Sequence, residues 1–198
     1  MSANRSPRHQ QSHERILDAA ARTVRRAGVA GVGVAEVMKE AGLTHGGFYA
    51  HFASRDALLA AALEHAGSQS NARVRERMRL RTEAGESPLR ALVSEYLSDA
   101  HMAALELGCP VAAVSSDLQR SGDSLREVSQ SRVRGLAKLV EGTLAPEAPA
   151  GSAWAIAASL VGAIQMARVL GAEGGGKEVL QACREALLAQ YERPGQPA

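Results

Sequence analysis

The side chains of this chain that are best suited to chemistry lie together in one short segment, Gly42-Leu-Thr-His-Gly-Gly-Phe-Tyr-Ala-His51. Thr44, His45 and Tyr49 carry hydroxyl or imidazole groups, and Gly46 presents only backbone. Hydroxyls and ring nitrogens can donate hydrogen bonds to phosphate oxygens and to base edges. They do not form a set that could carry a catalytic reaction. The segment therefore favours a surface that contacts nucleic acid.

The elements around this segment predict how it is held. The pattern predicts a short helix from Val34 to Ala41, a tight turn at Gly42 and a second short helix from about Thr44 to His51. Ser54 is placed to cap a long third helix through its hydroxyl. Two short helices joined by a tight turn form the helix-turn-helix unit that enters the major groove of DNA. The sequence therefore predicts a DNA reader.

A further helix is predicted before this unit, from about Ser12 to Ala27, with Gly28 at its C-terminal end. Phe48 and Phe52 are apolar and lie four residues apart, so we expect them to pack in a core and not against DNA. Residues 1–12 are polar and predicted to be a flexible basic arm that can touch DNA through Arg5, Arg8 and His9.

The pattern Gly-Leu-Thr-x-Gly-x-Phe-Tyr-x-His-Phe-x-Ser-(Lys/Arg)-x-x-Leu resembles the TetR family of bacterial one-component transcriptional regulators. The resemblance is specific from about Glu14 to Leu63. It implies an all-α protein of about nine helices, with a three-helix DNA-binding domain before a larger helical domain that dimerises and holds a small-molecule effector. The expected division is a DNA-binding domain over 13–66, an effector-binding and dimerisation domain over 67–191 and a tail over 192–198.

The resemblance also assigns roles to individual residues. Tyr49 and His51 match positions that contact the sugar-phosphate backbone or thymine methyl groups in the family. Arg55 matches a position where the family usually has a lysine that clamps a phosphate, and arginine keeps that charge. The candidate DNA-binding residues are therefore Thr44, His45, Gly46, Tyr49, His51 and Arg55.

Charge is distributed unevenly along the chain. Residues 1–81 hold 13 Lys and Arg against 7 Asp and Glu, a balance of +6, and the remainder holds 10 against 14, a balance of −4. These sum to the overall +2. A basic first part and an acidic second part suit a protein whose first part meets phosphates.

The second part of the chain is predicted to contain further helices, including one that starts at Ser87-Pro88 and carries apolar residues as far as Ala100. The run from Ser152 to Leu170 is apolar nearly all round, so we expect it to be buried on most sides. Together with a striped helix from about Lys177 to Tyr191, it is the predicted homodimer interface, an intersubunit four-helix bundle. The longest uncharged run, from Ala148 to Ala167, is too rich in small residues for a membrane span.

An effector pocket is expected from the resemblance, and its residues are inferred only from their size and from the helices that carry them. The candidates are Tyr96, His101, Met102, Cys109, Trp154 and Met166. An alternative is a thiol-based sensor of oxidants or electrophiles, because Cys109 precedes a predicted helix whose dipole would lower a thiol pKa.

Other chemistries find little support. The Gly174-Gly-Gly-Lys177 run lacks the spacing of a phosphate-binding loop and a preceding strand. No metal-ligand or catalytic spacing is evident, so we expect no metal, no cofactor and no enzymatic activity. A small enzyme with a vestigial helix-turn-helix is the remaining rival. The expected protein is a cytoplasmic repressor that binds a palindromic operator as a homodimer and is released by an unidentified small molecule.

Overall fold

The computed structural model describes residues 6–118 and 121–192, and all regular structure in this part of the chain is helical. Arg5 and positions 193–198 of the expected tail lie outside the described residues. The helices are α1 (Pro7–Ala27), α2 (Val34–Glu40), a 3₁₀ helix (His45–Ala50), α3 (Arg55–Glu83), α4 (Pro88–Tyr96), α5 (Asp99–Ala103), α6 (Pro110–Leu118), α7 (Asp123–Glu141), α8 (Ser152–Leu170) and α9 (Lys177–Tyr191), with a π-type turn at Ala172–Gly176. The predicted all-α fold of about nine helices is confirmed.

Helix α1 begins at Pro7. The prediction that residues 1–12 form a flexible arm is therefore wrong for residues 7–12, which are helical. The Ser6 hydroxyl accepts a hydrogen bond from the His9 N–H at 3.4 Å, and Pro7 occupies the first turn. A hydroxyl cap followed by proline is a strong start signal for a helix. This signal stands five residues before the predicted start.

The first hydrophobic core lies between α1, α2, the 3₁₀ helix and the first half of α3. Phe48 and Phe52 are 2% and 6% exposed, as predicted. The core also takes in residues from the second half of the chain, namely Val114, Leu118 and Leu125 on α6 and α7. The N-terminal helices are therefore packed directly against α6.

Helix α3 continues without interruption to Glu83, across the predicted boundary between residues 66 and 67.

A second core lies among α4, α5, α7, α8 and α9. The helix predicted from Ser87 to Ala100 is divided in two, because Leu97 leaves the helical conformation (φ −94°, ψ 38°) and the Ser98 hydroxyl caps α5 by accepting from the His101 N–H at 3.1 Å. At the far end, Glu192, which was expected in the tail, accepts from the Ser87 hydroxyl at 2.6 Å and pairs with Arg90, so it is anchored to the start of α4.

Helix α8 has the predicted bounds but not the predicted burial. Ile156, Leu160 and Ile164 are fully buried, whereas Met166 is 57% and Val169 is 87% exposed. One side of α8 is therefore an uncovered apolar face in the single chain. Of the described helices, only α8 is long and apolar enough to cross a membrane, with 33% of its most apolar window buried, but a core helix of a soluble protein meets the same criterion.

Candidate nucleic-acid interface

The turn between α2 and the 3₁₀ helix is built on Gly42. Its φ of +69° lies in the left-handed region that favours glycine. The Gly42 N–H donates to the Lys39 carbonyl at 3.0 Å, and the Leu43 N–H donates to the Met38 carbonyl at 2.9 Å. These bonds end α2 and redirect the chain into His45–Ala50. The sequence predicts this second short helix correctly in place, and the structure shows it as a 3₁₀ helix.

The outer surface of His45–Ala50 is exposed and carries hydrogen-bonding groups. Thr44, His45 and Gly46 are all exposed, and Tyr49 is 75% exposed. Phe48, on the opposite side of the same helix, is buried and meets the Tyr49 ring edge-on at 5.2 Å between centroids. A buried phenyl ring thus fixes the orientation of an exposed polar surface.

Gly46 and Gly47 both leave room for a side chain within the protein. A Cβ placed on Gly46 would meet nothing within 4 Å. A Cβ on Gly47 would lie at ordinary contact distance, 3.8 Å from Met38 Cε. Tight packing against a neighbouring helix therefore does not require glycine at either position. No contact inside the described protein explains the absence of a side chain at Gly46.

His51 lies behind the exposed surface and not at its tip. Its ring stacks on His9 of α1 with 4.3 Å between centroids, and the His13 ring lies 5.8 Å away. His9 also bonds to the Ala50 carbonyl at 3.1 Å. His9 is therefore part of α1 and not, as its sequence position had suggested, of a flexible arm. The sequence feature that indicates this contact is the spacing of His9 and His13, because residues four apart lie on one face of a helix.

Arg55, the first residue of α3, is half-buried and already bonded within the protein. Its Nε donates to the Val32 carbonyl at 2.9 Å and a terminal nitrogen donates to the Val29 carbonyl at 2.6 Å. The guanidinium therefore braces the loop that joins α1 to α2. Sequence reasoning did not foresee this brace, because carbonyl positions in a loop cannot be read from residue types.

A second arginine, missed by sequence reasoning, joins the N-terminal helices to the rest of the chain. Arg25 on α1 is 5% exposed and donates to the Ala66 carbonyl at 2.6 Å, to the Glu106 carbonyl at 2.9 Å and to Gln69 Oε1 at 3.3 Å. Burial lowers its pKa to about 10. The same side chain thus ties α1 to α3 and to the loop between α5 and α6.

Four of the six residues predicted to line an effector pocket lie near one another. Tyr96, Met102 and Cys109 are buried, and the Tyr96 and His101 rings meet edge-on at 4.7 Å. His101 Nδ1 donates to the Tyr96 carbonyl at 2.6 Å, and its Nε2 accepts from the Cys109 N–H at 3.1 Å. Burial lowers the pKa of His101 to about 4, so the ring is neutral near pH 7.

These four residues act as core and not as a common pocket wall. Only His101 borders a cleft of about 230 Å³, whose walls include Arg73 and Glu95. The other two candidates, Trp154 and Met166, lie on α8 and are more than half exposed. The six predicted residues therefore do not converge on one cavity. Cys109 is only 7% exposed, and the thiol-sensing alternative stays a prediction.

The larger cavity is an open groove of about 500 Å³ between α6, α7 and α8, and of the six candidates only Trp154 lines it. Leu118 and Val133 share the lining with Arg126 and Arg134. In the described part of the chain no group of three His, Cys, Asp or Glu side chains could hold a metal ion.

Residues 16–62, which include α2, the turn and the 3₁₀ helix, match the family described as bacterial regulatory proteins, tetR family. An HTH-type transcriptional regulator of Mycobacterium tuberculosis strain H37Rv, named as uncharacterized, is 31% identical over 107 residues, or 54% of this chain. The chain spans about half the length of that relative, 53%. The part matched by the family model thus lies in the N-terminal helices.

Solved structures extend the likeness to the whole fold. A TetR transcriptional regulator from Chloroflexus aurantiacus is 23% identical with a TM-score of 0.72, and the alignment covers 94% of this chain and 98% of that one. The multidrug binding protein EbrR, solved with malachite green, is 27% identical with a TM-score of 0.62, covering 91% and 98%. The helix-turn-helix geometry, the family match at 16–62 and the fold agree: the N-terminal helices match the TetR family of bacterial regulatory proteins, and the whole chain has the fold of solved TetR-family regulators.

Proposed function

We propose that this chain is a transcriptional repressor that binds a palindromic operator as a homodimer in the cytoplasm and is released by a small-molecule effector. The observation that supports it most is the exposed polar surface of His45–Ala50, held from behind by Phe48. Such a surface can donate to base edges and phosphates from a rigid support. The test is binding to the inverted repeat upstream of the gene, measured by fluorescence anisotropy.

In this proposal Thr44 and His45 face the bases, Tyr49 contacts the sugar-phosphate backbone and Gly46 allows the backbone to approach the DNA. The basic balance of residues 1–81 supplies the favourable long-range field. His51, stacked on His9, contributes by holding the end of the 3₁₀ helix against α1. In this arrangement the only direct DNA contact proposed for His51 is with the adjacent phosphate.

Gly46→Ala separates a DNA role from a structural one. A Cβ at this position meets no protein atom, so the free energy of unfolding should stay the same or rise by up to about 1 kcal/mol. Operator affinity should fall about tenfold, because the methyl group occupies space that the DNA approaches. Gly47→Ala, where the methyl meets only Met38 and Thr44, is the matched control. Equal operator affinity of Gly46→Ala and wild type would exclude close approach at Gly46.

Arg55 is proposed to act both as the brace of the α1–α2 loop and as a phosphate contact. Arg55→Lys keeps the charge but loses the forked contact to Val29 and Val32, so unfolding free energy should fall by about 1 kcal/mol with the salt dependence unchanged. Arg55→Ala should also reduce the slope of log K against log salt by about 0.9. A slope unchanged in Arg55→Ala would leave Arg55 with the brace alone.

The proposed dimer is supported by the uncovered apolar face of α8. Met166, Val169 and Leu170 are 57%, 87% and 46% exposed in the single chain, close to the start of α9. Apolar side chains clustered in this way are typical of a subunit interface. A second copy of the same chain would cover both faces by two-fold symmetry.

Val169→Glu should convert the dimer to a monomer. Because Val169 is largely exposed within one chain, the charge costs little in the monomer, but in the dimer it would be buried without a partner. Light scattering should show half the wild-type mass, and operator affinity should fall because the two half-sites are no longer bound together. Leu80→Glu, which places the same charge on an exposed apolar position of α3 (53% exposed), is a surface control outside α8 and α9. A dimeric Val169→Glu protein would contradict this interface.

A further inference from the structure

We propose that the groove between α6, α7 and α8 binds a planar organic anion, such as an aromatic carboxylate or sulfonate. The inference rests on the proposed effector response and gives that effector a chemical class. It depends on the size of the groove, its charge, its single aromatic side chain and its contact with the N-terminal core.

The groove has the dimensions of a small-molecule site. Its volume of about 500 Å³ falls inside the range of 300–1,000 Å³ that ligand pockets occupy. Trp154, Val133 and Leu118 provide apolar surface, and Ser115, Ser129 and Gln130 provide hydrogen-bonding groups. A largely apolar wall with a few polar groups is the usual composition of such a pocket.

The charged groups of the groove are all positive. Arg126 and Arg134 line it, and no carboxylate among the described residues does. Arg126 forms a solvent-exposed pair with Asp123 at 3.2 Å. Arg134 forms no ion pair with any residue in the described part of the chain. A guanidinium donates two parallel hydrogen bonds to a carboxylate or sulfonate, so the groove favours an anion over a cation.

Trp154 gives the ligand its planar character. It is the one tryptophan of the chain and is 53% exposed on the wall of the groove. An indole in this position offers a flat apolar surface on which an aromatic ring can stack. The two arginines lie on α7 and the indole on α8, so one molecule could use both.

The groove shares a residue with the core that supports the DNA-binding surface. Leu118 lines the groove and, at 6% exposure, packs in the N-terminal core with Phe48. The preceding residue, Asp117, accepts from the Val29 N–H at 3.4 Å, and its carboxylate lies 2.6 Å from where a Cβ on Gly28 would be. Movement of α6 on ligand binding would therefore act directly on the end of α1.

This specificity contrasts with that of a structural relative. EbrR was solved with malachite green, an organic cation. Two arginines without a carboxylate in the lining would repel such a ligand here. Malachite green is thus a suitable negative probe for this groove.

The single tryptophan makes the groove directly observable. Titration of the full-length protein with 8-anilinonaphthalene-1-sulfonate should quench Trp154 emission saturably, and malachite green should bind at least about tenfold more weakly. Arg134→Gln should weaken the sulfonate about tenfold. Lys138→Gln, one turn further along α7 and outside the lining, makes the same charge change and should have no effect. Saturating sulfonate should also weaken operator binding by wild type and Lys138→Gln.

Three results would overturn the proposal. Equal sulfonate affinity of Arg134→Gln and Lys138→Gln would place the probe elsewhere. Sulfonate binding with unchanged operator affinity would remove the effector role from the groove. Trp154 emission that changes with protein concentration as dimers form, without sulfonate binding, would assign the groove to a second copy of the chain. Each leaves the proposed DNA binding intact, because operator affinity is measured separately without the probe.

Discussion

Phe48→Ala should lower the free energy of unfolding by about 3–5 kcal/mol, because it removes a ring that is 2% exposed at the centre of the N-terminal core. The ring packs on Phe52 at 6.0 Å and holds the helix that bears the exposed polar groups. Operator binding should be lost along with the orientation of that helix. Urea denaturation followed by circular dichroism measures the first effect, and fluorescence anisotropy with operator DNA measures the second.

Tyr49→Ala is the matched control, since Tyr49 is the next residue in the same helix but is 75% exposed. Its removal should change the unfolding free energy by no more than about 0.5 kcal/mol, as expected for a surface position. It should weaken binding to DNA of all sequences, because it is proposed to contact the backbone. A Tyr49→Ala protein with full DNA affinity would contradict the proposed orientation of the helix.

Arg25→Met should lower the free energy of unfolding by about 2–5 kcal/mol. The methionine fills much of the volume but removes the guanidinium donor from the buried Ala66 carbonyl and from the part-buried Glu106 carbonyl, at about 1–3 kcal/mol each. Because those bonds join α1 to α3 and to the α5–α6 loop, we expect the N-terminal helices to unfold before the rest of the chain. Hydrogen exchange should show lower protection in α1 and α2 than in α8.

Arg26→Met is the control for this effect. Arg26 is the next residue and also contacts Glu106, but it pairs with the Glu106 carboxylate in an exposed ion pair. An exposed ion pair contributes about 0–1 kcal/mol, so Arg26→Met should be close to wild type in stability and in exchange. If both variants behaved alike, the buried guanidinium would have no special part in joining the two halves of the chain.

Several features were predictable because they depend on short-range pattern. The caps at Ser54 and Ser87, the turn at Gly42 and the bounds of Ser152–Leu170 and Lys177–Tyr191 are all found where the sequence places them. The buried Phe48 and Phe52 and the exposed Tyr49 follow from the periodicity of one helix. Local hydrogen bonding and amphipathic spacing determine these features, so no distant contact was needed to infer them.

The features that were missed depend on contacts between segments far apart in sequence. Arg25 bonds across 41 and 81 positions to Ala66 and Glu106, and Arg55 bonds back across 23 and 26 positions to a loop. Residue types alone do not indicate which carbonyls lie near a guanidinium. The early start of α1 was missed for a different reason. Ser6 and Pro7 are a helix start signal in the sequence, but the prediction followed the polar composition of residues 1–12 instead.

The lining of the open groove could not be predicted from the sequence for a related reason. Tyr96 and Trp154 were grouped by size, but the first lies in the core and the second on the wall of an open groove. Size indicates that a side chain needs packing surface and not which surface provides it. The arginines that give the groove its charge, Arg126 and Arg134, could not be assigned to it before the packing of α6 and α7 was known.

The most direct test of this interpretation is a comparison of two DNA duplexes by fluorescence anisotropy at 0.15 M salt. One carries the inverted repeat upstream of the gene, and the other carries the same bases in shuffled order. We expect two chains to bind each inverted repeat at least about 1,000-fold more tightly than the shuffled duplex. Equal affinity for the two duplexes, with the protein folded and dimeric, would contradict a role for His45–Ala50 in reading an operator.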